Sequence, residues 1–166
     1  TTFATPHGPL ESRMMYNLHE PAWTTAAMIK DLRRDLPAWE AVTFGAEEEA
    51  ADTAALDRAL AEVGESYLLE AWLGVPFFDT YASGRDGGFE SAIMDFFEPE
   101  LRPTLERLRE RYLEVMLRRV AALSADSRVE SFCIGCSWSC NSLLGPELWR
   151  EWDKPAGAKK QRAAKP

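Results

Sequence analysis

Three cysteines in a C-x2-C-x3-C pattern, Cys133, Cys136 and Cys140, have the types and spacing of metal ligands. Thiolates at short spacings hold zinc ions and iron–sulfur clusters. The apolar run at 129–137 predicts a strand, however, and side chains along a strand alternate between its two faces. Cys133 and Cys136 would then point in opposite directions, and both histidines of the chain lie far upstream. We therefore predict no metal site at these cysteines.

A carboxylate stands near the end of a second apolar segment. The segment at 66–72 (SYLLEAW) predicts a short buried strand, and Glu70 lies close to its end. A carboxylate in that position can act as a general acid or base, or bind a cationic group of a substrate. It can equally be a half-exposed residue at a strand terminus without a chemical role. The sequence leaves both interpretations open.

The alternation of side chains divides the strand at 129–137 into two faces. One face is predicted to carry small residues and the other mostly larger apolar ones: Ser131, Cys133, Gly135 and Ser137 against Phe132, Ile134 and Cys136. Small residues suit the lumen of a barrel, and large apolar residues suit packing against helices. Four tryptophans could line a cleft for a flat ligand: Trp72, Trp138, Trp149 and Trp152. Aromatic residues at helical spacing, such as Trp149 and Trp152, more often belong to a core.

The elements that would position these residues alternate between strands and helices. Residues 1–22 show no sustained period and predict a loop. Apolar periodicity and turn residues predict helices at 24–37, at about 52–64, at 89–97, at about 99–123, and at a final segment opened by Pro146. Thr24 is the candidate cap of the first helix, Pro37 is predicted to end it, and the glycines at 84–88 predict a turn. The order strand, helices, strand, helix from residue 66 implies parallel strands joined by crossovers. The sequence therefore predicts an α/β fold with N-terminal helices.

Charge and composition limit the classes of function. The formal net charge is -8, and the basic residues include a cluster in the last segment, 154–166, which contains no acid. An acidic body disfavours nucleic-acid binding, and the tail has the composition of a disordered coil. No apolar run is long enough to span a membrane, and three closely spaced cysteines suit a reducing compartment. We expect a cytoplasmic protein that binds neither nucleic acid nor membrane.

Several short motifs carry a family resemblance. They are LLGPELWREW at 143–152, GVPF at 74–77 with Tyr81 following it, MDFFEPE at 94–100 and TPHG at 5–8. Together they resemble stretches of the uroporphyrinogen decarboxylase superfamily, and the pattern is closer to its corrinoid-linked methyltransferase-like branch. The resemblance implies a (β/α)8 barrel of the TIM type, built by residues 1–155, with 156–166 as a basic, disordered tail.

The resemblance implies two kinds of chemistry. One is decarboxylation of the acetate groups of uroporphyrinogen without a cofactor, and the other is methyl transfer linked to a corrinoid, with zinc in the complete enzyme. The expected partner is a tetrapyrrole or corrinoid small molecule, and this chain itself is expected to hold no cofactor. A (β/α)8 barrel typically needs about 250 residues. We therefore expect a partial, truncated barrel, and whether it is an enzyme is left open.

In barrel enzymes the site forms at the carboxyl ends of the strands and in the loops that follow. This rule and the resemblance assign Glu70 and Tyr81 as catalytic residues, and Phe77, Ser137 and Trp138 as substrate-binding residues. The alternative is a non-catalytic fragment that folds partially or only with a partner subunit. Exposed sheet edges would then promote self-association.

Overall fold

Short strands and longer helices alternate along the chain in the computed structural model, which describes residues 1–45, 53–64, 70–125, 129, 131–140 and 142–154. The strands are β1 Thr2–Phe3, β2 Leu10–Glu11, β3 Arg13–Met15, β4 Trp23–Ala26, β5 Glu70–Trp72 and β6 Ser131–Cys133. The helices are α1 Leu32–Gly45, α2 Thr53–Val63, α3 Phe77–Gly84, α4 Gly88–Phe97, α5 Arg102–Ser124 and α6 Pro146–Leu148, which continues into a π-helical turn at Trp149–Asp153. None of the described helices could cross a membrane, being too short or too polar.

The chain divides into two compact units. The first comprises Thr1–Ala46 and Phe78–Leu108, and the second comprises Glu47–Phe77 and Arg109–Pro166. Residues 155–166, predicted to form a disordered tail, lie outside the described residues, as do the first residues of the strand predicted at 66–72.

The first unit begins with two hairpins, so the prediction of a loop over residues 1–22 is wrong. β1 pairs antiparallel with β2, and β3 pairs antiparallel with β4. Thr5 and Gly8 close the first turn, in which the Thr5 hydroxyl donates to the Gly8 carbonyl oxygen over 2.6 Å. Strands of two to four residues offer too little alternation for a period to be detected.

The helix predicted at 24–37 is also wrong at both ends. Trp23–Ala26 is a strand, and α1 begins at Leu32 and ends at Gly45. Asp31 caps this helix, because its Oδ1 accepts the Arg34 backbone N–H at 2.9 Å. Asp35 completes the start of the helix: its Oδ2 accepts the backbone N–H groups of Lys30, at 2.9 Å, and Asp31, at 2.8 Å. The prediction favoured Thr24 as the cap and overlooked this pair of aspartates.

The Asp35 carboxylate also receives the Arg34 guanidinium, with Nε at 2.6 Å from Oδ1. The hydrogen bond from Arg34 holds the pKa of Asp35 well below its usual range; burial opposes the shift, and the two backbone N–H donors reinforce it. The negative charge that stabilises the helix start therefore persists into acidic solution.

Pro37 lies inside α1, although it was predicted to end the helix. Proline has no backbone N–H, so a helix loses one backbone hydrogen bond at that position and becomes less stable. Burial on the same helix opposes that cost: Leu36, Ala38, Trp39 and Phe44 are all buried. Tertiary packing thus overrides the local signal of Pro37.

The rest of the first unit packs around aromatic rings. Trp39 meets Phe44 and Tyr81 edge-on, with ring centroids 5.9 Å and 6.0 Å apart. Phe78 packs edge-on against Phe96 at 5.2 Å. Helix α4 confirms the helix predicted at 89–97, and the glycine-rich turn before it is present, with the φ of Gly87 at 82°. Helix α3 was not predicted.

The second unit contains a parallel strand pair. β5 pairs with β6 in the register Glu70↔Ser131, Ala71↔Phe132 and Trp72↔Cys133. This confirms the predicted parallel arrangement, and β6 is shorter than the predicted strand at 129–137. Helix α5 confirms the long helix predicted between the strands, and α2 confirms the helix that ends before Gly64, whose φ is 58°.

The last described segment of the second unit is the one in which a helix was predicted to begin at Pro146. Pro146 does occupy the first helical turn, and Gly145 precedes it with a φ of 82°. The Arg109 guanidinium lies 4.9 Å from the centre of the Trp152 ring and donates to the Glu151 carbonyl oxygen at 3.3 Å. Trp152 is buried, so tryptophan at helical spacing does form core here.

The fold is a mixture of helices and small sheets, which agrees with the α/β class. Each sheet in the described residues has two strands, and one of the three sheets is parallel. A (β/α)8 barrel needs eight parallel strands. The described residues therefore supply one unit of that kind, and no barrel is seen among them.

Candidate functional site

In the second unit a carboxylate, a hydroxyl and a thiol lie on one face of the β5–β6 pair. Glu70 and Ser131 are register partners, and the Ser131 hydroxyl donates to Glu70 Oε2 at 3.2 Å. Residues two apart on a strand share a face, so Cys133 lies on the side of Ser131. We call this surface the strand-pair face and define it by Glu70, Trp72, Ser131, Cys133 and Gly135.

Glu70 influences the thiol of Cys133. Partial burial, and then the charge of the nearby Glu70 carboxylate, raise the pKa of Cys133 above its ordinary value. The thiol therefore keeps its proton at neutral pH, so it reacts more slowly as a nucleophile than an ordinary thiol. Glu70 is exposed, so its carboxylate, which accepts the Ser131 hydroxyl, remains accessible to a ligand.

Trp72 covers the end of the same face. A Cβ built on Gly135 would lie 2.4 Å from Cη2 of Trp72, so only glycine admits the indole ring at this distance. The Trp72 side chain is 51% exposed, and its ring is open to a flat ligand. The Gly135 N–H donates to the Gly74 carbonyl oxygen at 3.0 Å, which extends the pairing of the two strands past their formal ends.

The loop that follows β5 is held by Tyr112. The Tyr112 hydroxyl donates to the Val75 carbonyl oxygen, and the Tyr112 ring packs on Phe77 with centroids 6.0 Å apart. Phe77 was predicted to bind substrate, but its side chain is buried. In this structure Phe77 anchors the loop to the core of the second unit.

Ser137 and Trp138, also predicted to bind substrate, follow β6 in an irregular segment. Ser137 is exposed and Trp138 is half-buried. Ser139, next in the chain, is buried. Ser137 is therefore accessible in the segment that follows the carboxyl end of β6.

Tyr81, predicted to be catalytic, belongs to the first unit and is fully buried. Its hydroxyl donates to Asp95 Oδ2 at 2.5 Å, and Arg85 Nε donates to the same oxygen at 2.8 Å. Burial, and then the hydrogen bond to Asp95, raise the pKa of Tyr81 far above its ordinary value. The phenol stays protonated and is engaged inside the core of its unit.

Sequence reasoning missed the ion pair between Arg85 and Asp95. Arg85 lies in a glycine-rich stretch that predicted only a turn, and Asp95 lies in a helix among apolar residues. An acid within the apolar run at 92–97 was the available signal, because a buried carboxylate needs a partner. The predicted strand faces placed Ser131 and Cys133 on one side of the strand, but they did not predict the hydrogen bond from Ser131 to Glu70.

The three cysteines have different surroundings. Cys133 and Cys140 are half-buried and Cys136 is exposed, and all are free thiols. Cys140 Sγ lies 3.3 Å from the Ser142 hydroxyl oxygen, and this hydrogen bond, followed by the Leu143 backbone N–H, lowers the pKa of Cys140. Among the residues that the structure describes, no three or more potential ligands are grouped to hold a metal ion.

No protein-family model matches this sequence, and comparison with curated proteins and with solved structures gives no significant match. The chemistry of the strand-pair face is therefore inferred from its own residues and from the motifs in the sequence.

Proposed function

We propose that the strand-pair face is part of a substrate site for tetrapyrrole- or corrinoid-linked chemistry of the uroporphyrinogen decarboxylase type. The observation that carries the proposal is the juxtaposition of Glu70, Ser131 and Cys133 beside the exposed ring of Trp72 on two parallel strands. The motifs GVPF at 74–77 and LLGPELWREW at 143–152, which resemble stretches of that superfamily, support the proposal. Three free cysteines suit a cytoplasmic setting for it.

Glu70 is the group with the chemistry to act on a substrate. Its carboxylate accepts the Ser131 hydroxyl and lies exposed on the face. As a base it could take up a proton, and as an anion it could hold a cationic or N–H group of a ligand. The Ser131 hydroxyl orients it, and the protonated Cys133 lies on the same face. Ser137, at the end of β6, adds an accessible hydroxyl.

Trp72 is the group suited to a macrocycle. Tetrapyrroles are flat and largely apolar at their centre, and the half-exposed indole offers a plane on which such a ring can stack. Gly135 keeps the indole close to the strands.

The zinc that the methyltransferase-like branch uses has no ligand set among the described residues. Cys133 ends β6 on the strand-pair face, and Cys136 lies three residues beyond the end of that strand. We therefore derive no step through zinc.

The proposal is tested by equilibrium titration of the purified chain with uroporphyrin and, separately, with hydroxocobalamin. We expect one of the two to bind, and Trp72→Ala to weaken its binding about three- to tenfold through the lost aromatic contact. Glu70→Gln should weaken binding as well. Trp23→Ala and Glu147→Gln are matched controls, since both residues are exposed and lie elsewhere in the chain.

The same preparation should show no turnover of uroporphyrinogen or of a methylated corrinoid with a thiol acceptor. One strand pair cannot surround a substrate or exclude water from it. Equal binding to the wild type, Trp72→Ala and Glu70→Gln would contradict the proposed site, and turnover above the Glu70→Gln level would contradict the expected inactivity.

A second candidate is a non-catalytic chain that associates with a partner subunit or with itself. The β3–β4 hairpin favours it, because this segment exposes several large apolar side chains: Met14, Met15, Tyr16, Leu18 and Trp23. Apolar patches of this kind mark contact surfaces. Failure of both tetrapyrroles to bind would leave this candidate as the better account.

A further inference from the structure

The first unit contains a cavity of about 620 Å³ that no sequence motif indicated. It is open to solvent and lies between the two N-terminal hairpins and the start of α1, and its lining is His7, Gly8, Pro9, Leu10, Glu11, Arg13, Ala26, Met28, Lys30, Arg34, Asp35 and Ala38. We call it the hairpin cavity. Its volume lies within the range of about 300–1,000 Å³ that small-molecule sites occupy.

The charges around the hairpin cavity are unbalanced. Arg34 and Asp35 neutralise each other, since the guanidinium contacts both carboxylate oxygens at 2.6 Å and 3.1 Å. Arg13 and Lys30 remain, opposed by Glu11. The Lys30 ammonium donates to the Glu11 backbone carbonyl at 2.9 Å, which leaves two of its three protons for other acceptors.

Arg13 is the most available of these cations. Among the residues that the structure describes, its guanidinium has no hydrogen-bond or ion-pair partner. A guanidinium presents five N–H donors in a planar fork, which suits a carboxylate held by two hydrogen bonds. The whole chain has a net charge of -8, whereas the side chains that line this cavity carry a small excess of positive charge.

Apart from His7 and Gly8, the remaining lining is apolar. Leu10 and Ala38 are buried in its wall, and Pro9, Ala26 and Met28 add further hydrocarbon surface. A ligand that satisfies both parts of the cavity would combine an apolar body with one anionic group.

We propose that the hairpin cavity binds a small organic anion, of the class of aromatic or branched aliphatic carboxylates, with the anionic group at Arg13 and Lys30. The start of α1 does not supply the contact, because the Asp35 carboxylate already accepts the N–H groups of Lys30 and Asp31. Side chains alone therefore recognise the anion. The inference is independent of the strand-pair face, since the cavity lies wholly within the first unit.

The test compares 2-naphthoate with 2-naphthamide, which have similar shapes but differ in charge, by titration calorimetry on the whole chain. We expect naphthoate to bind at least about tenfold more tightly than the amide. Arg13→Gln and Lys30→Gln should each weaken naphthoate binding about tenfold. Glu11→Gln should strengthen it, because the acid that opposes the two cations is removed.

Arg33→Gln is the matched control: Arg33 is exposed on α1 and does not line the cavity, so its loss should leave the affinity unchanged. Circular dichroism of each variant verifies that the fold is retained. Equal affinities for the anion and the amide, no binding at millimolar concentrations, or a Glu11→Gln variant that binds more weakly would each overturn the proposal.

Discussion

Replacing Asp95 with alanine is expected to destabilise the first unit by about 3–5 kcal/mol. The Asp95 carboxylate accepts both the Tyr81 hydroxyl and the Arg85 guanidinium, and the two charged side chains are only 10% and 15% exposed. The alanine variant leaves the guanidinium without its counter-charge and the buried hydroxyl without its acceptor. Such a loss is a large fraction of the total stability of an ordinary domain.

Urea denaturation followed by tyrosine and tryptophan fluorescence measures this effect. The matched control is Glu106→Ala, which removes an exposed ion pair to Arg102 on α5. Exposed pairs contribute at most about 1 kcal/mol, so the control should change little. A cost for Asp95→Ala as small as that for Glu106→Ala would show that the buried ion pair is not formed.

Replacing Gly84 with alanine is expected to destabilise the first unit by about 1–3 kcal/mol through overpacking. A Cβ at this position would lie 2.5 Å from Nε1 of Trp39, and Trp39 is buried among aromatic rings. The indole therefore has little room to move away. The expected cost arises from contact and not from backbone strain, since Gly84 does not have a positive φ.

A double-mutant cycle tests this reason. In a Trp39→Phe background the smaller ring leaves space for the new methyl group, so Gly84→Ala should cost less there than in the wild type. The free energy of unfolding is measured for all four proteins under the same conditions. Equal costs in the two backgrounds would show that the indole does not press on Gly84.

Helix α5 and the parallel pairing of β5 with β6 could be predicted because the apolar pattern between the two strands extends over many residues. Helix α5 spans many turns, and its apolar period is repeated often enough to fix it. The strands β5 and β6 are short, but the long helix between them required a crossover, and this favoured parallel pairing.

The N-terminal region could not be predicted in the same way. β1 and β2 have two residues each, and β3 and β4 are joined by a segment without a strong turn dipeptide. The start of α1 depends on Asp31 and Asp35 acting together on backbone groups, whereas the sequence offered Thr24 as a single capping candidate. The pairing of such short strands and the hydrogen bonds at the start of α1 depend on contacts in the folded unit, which a local sequence pattern does not show.

The candidate site was predictable where it rests on strand geometry. Alternation of side chains along β6 predicted that Ser131 and Cys133 share one face. Glu70 was a candidate because it lies near the end of the other strand. Phe77 and Tyr81 were assigned through motifs, and both side chains are buried. Burial depends on the packing of several elements, which the spacing of residues does not reveal.

Protection of Cys133 from alkylation tests the proposed site most directly. In a Cys136→Ser, Cys140→Ser background, Cys133 is the remaining thiol, and it lies on the strand-pair face beside Glu70. The rate of its reaction with iodoacetamide is measured with and without the tetrapyrrole that binds. We expect the bound ligand to slow alkylation at least about tenfold, and Trp72→Ala to remove most of the protection at the same ligand concentration. An unchanged rate at saturating ligand would contradict binding at the strand-pair face.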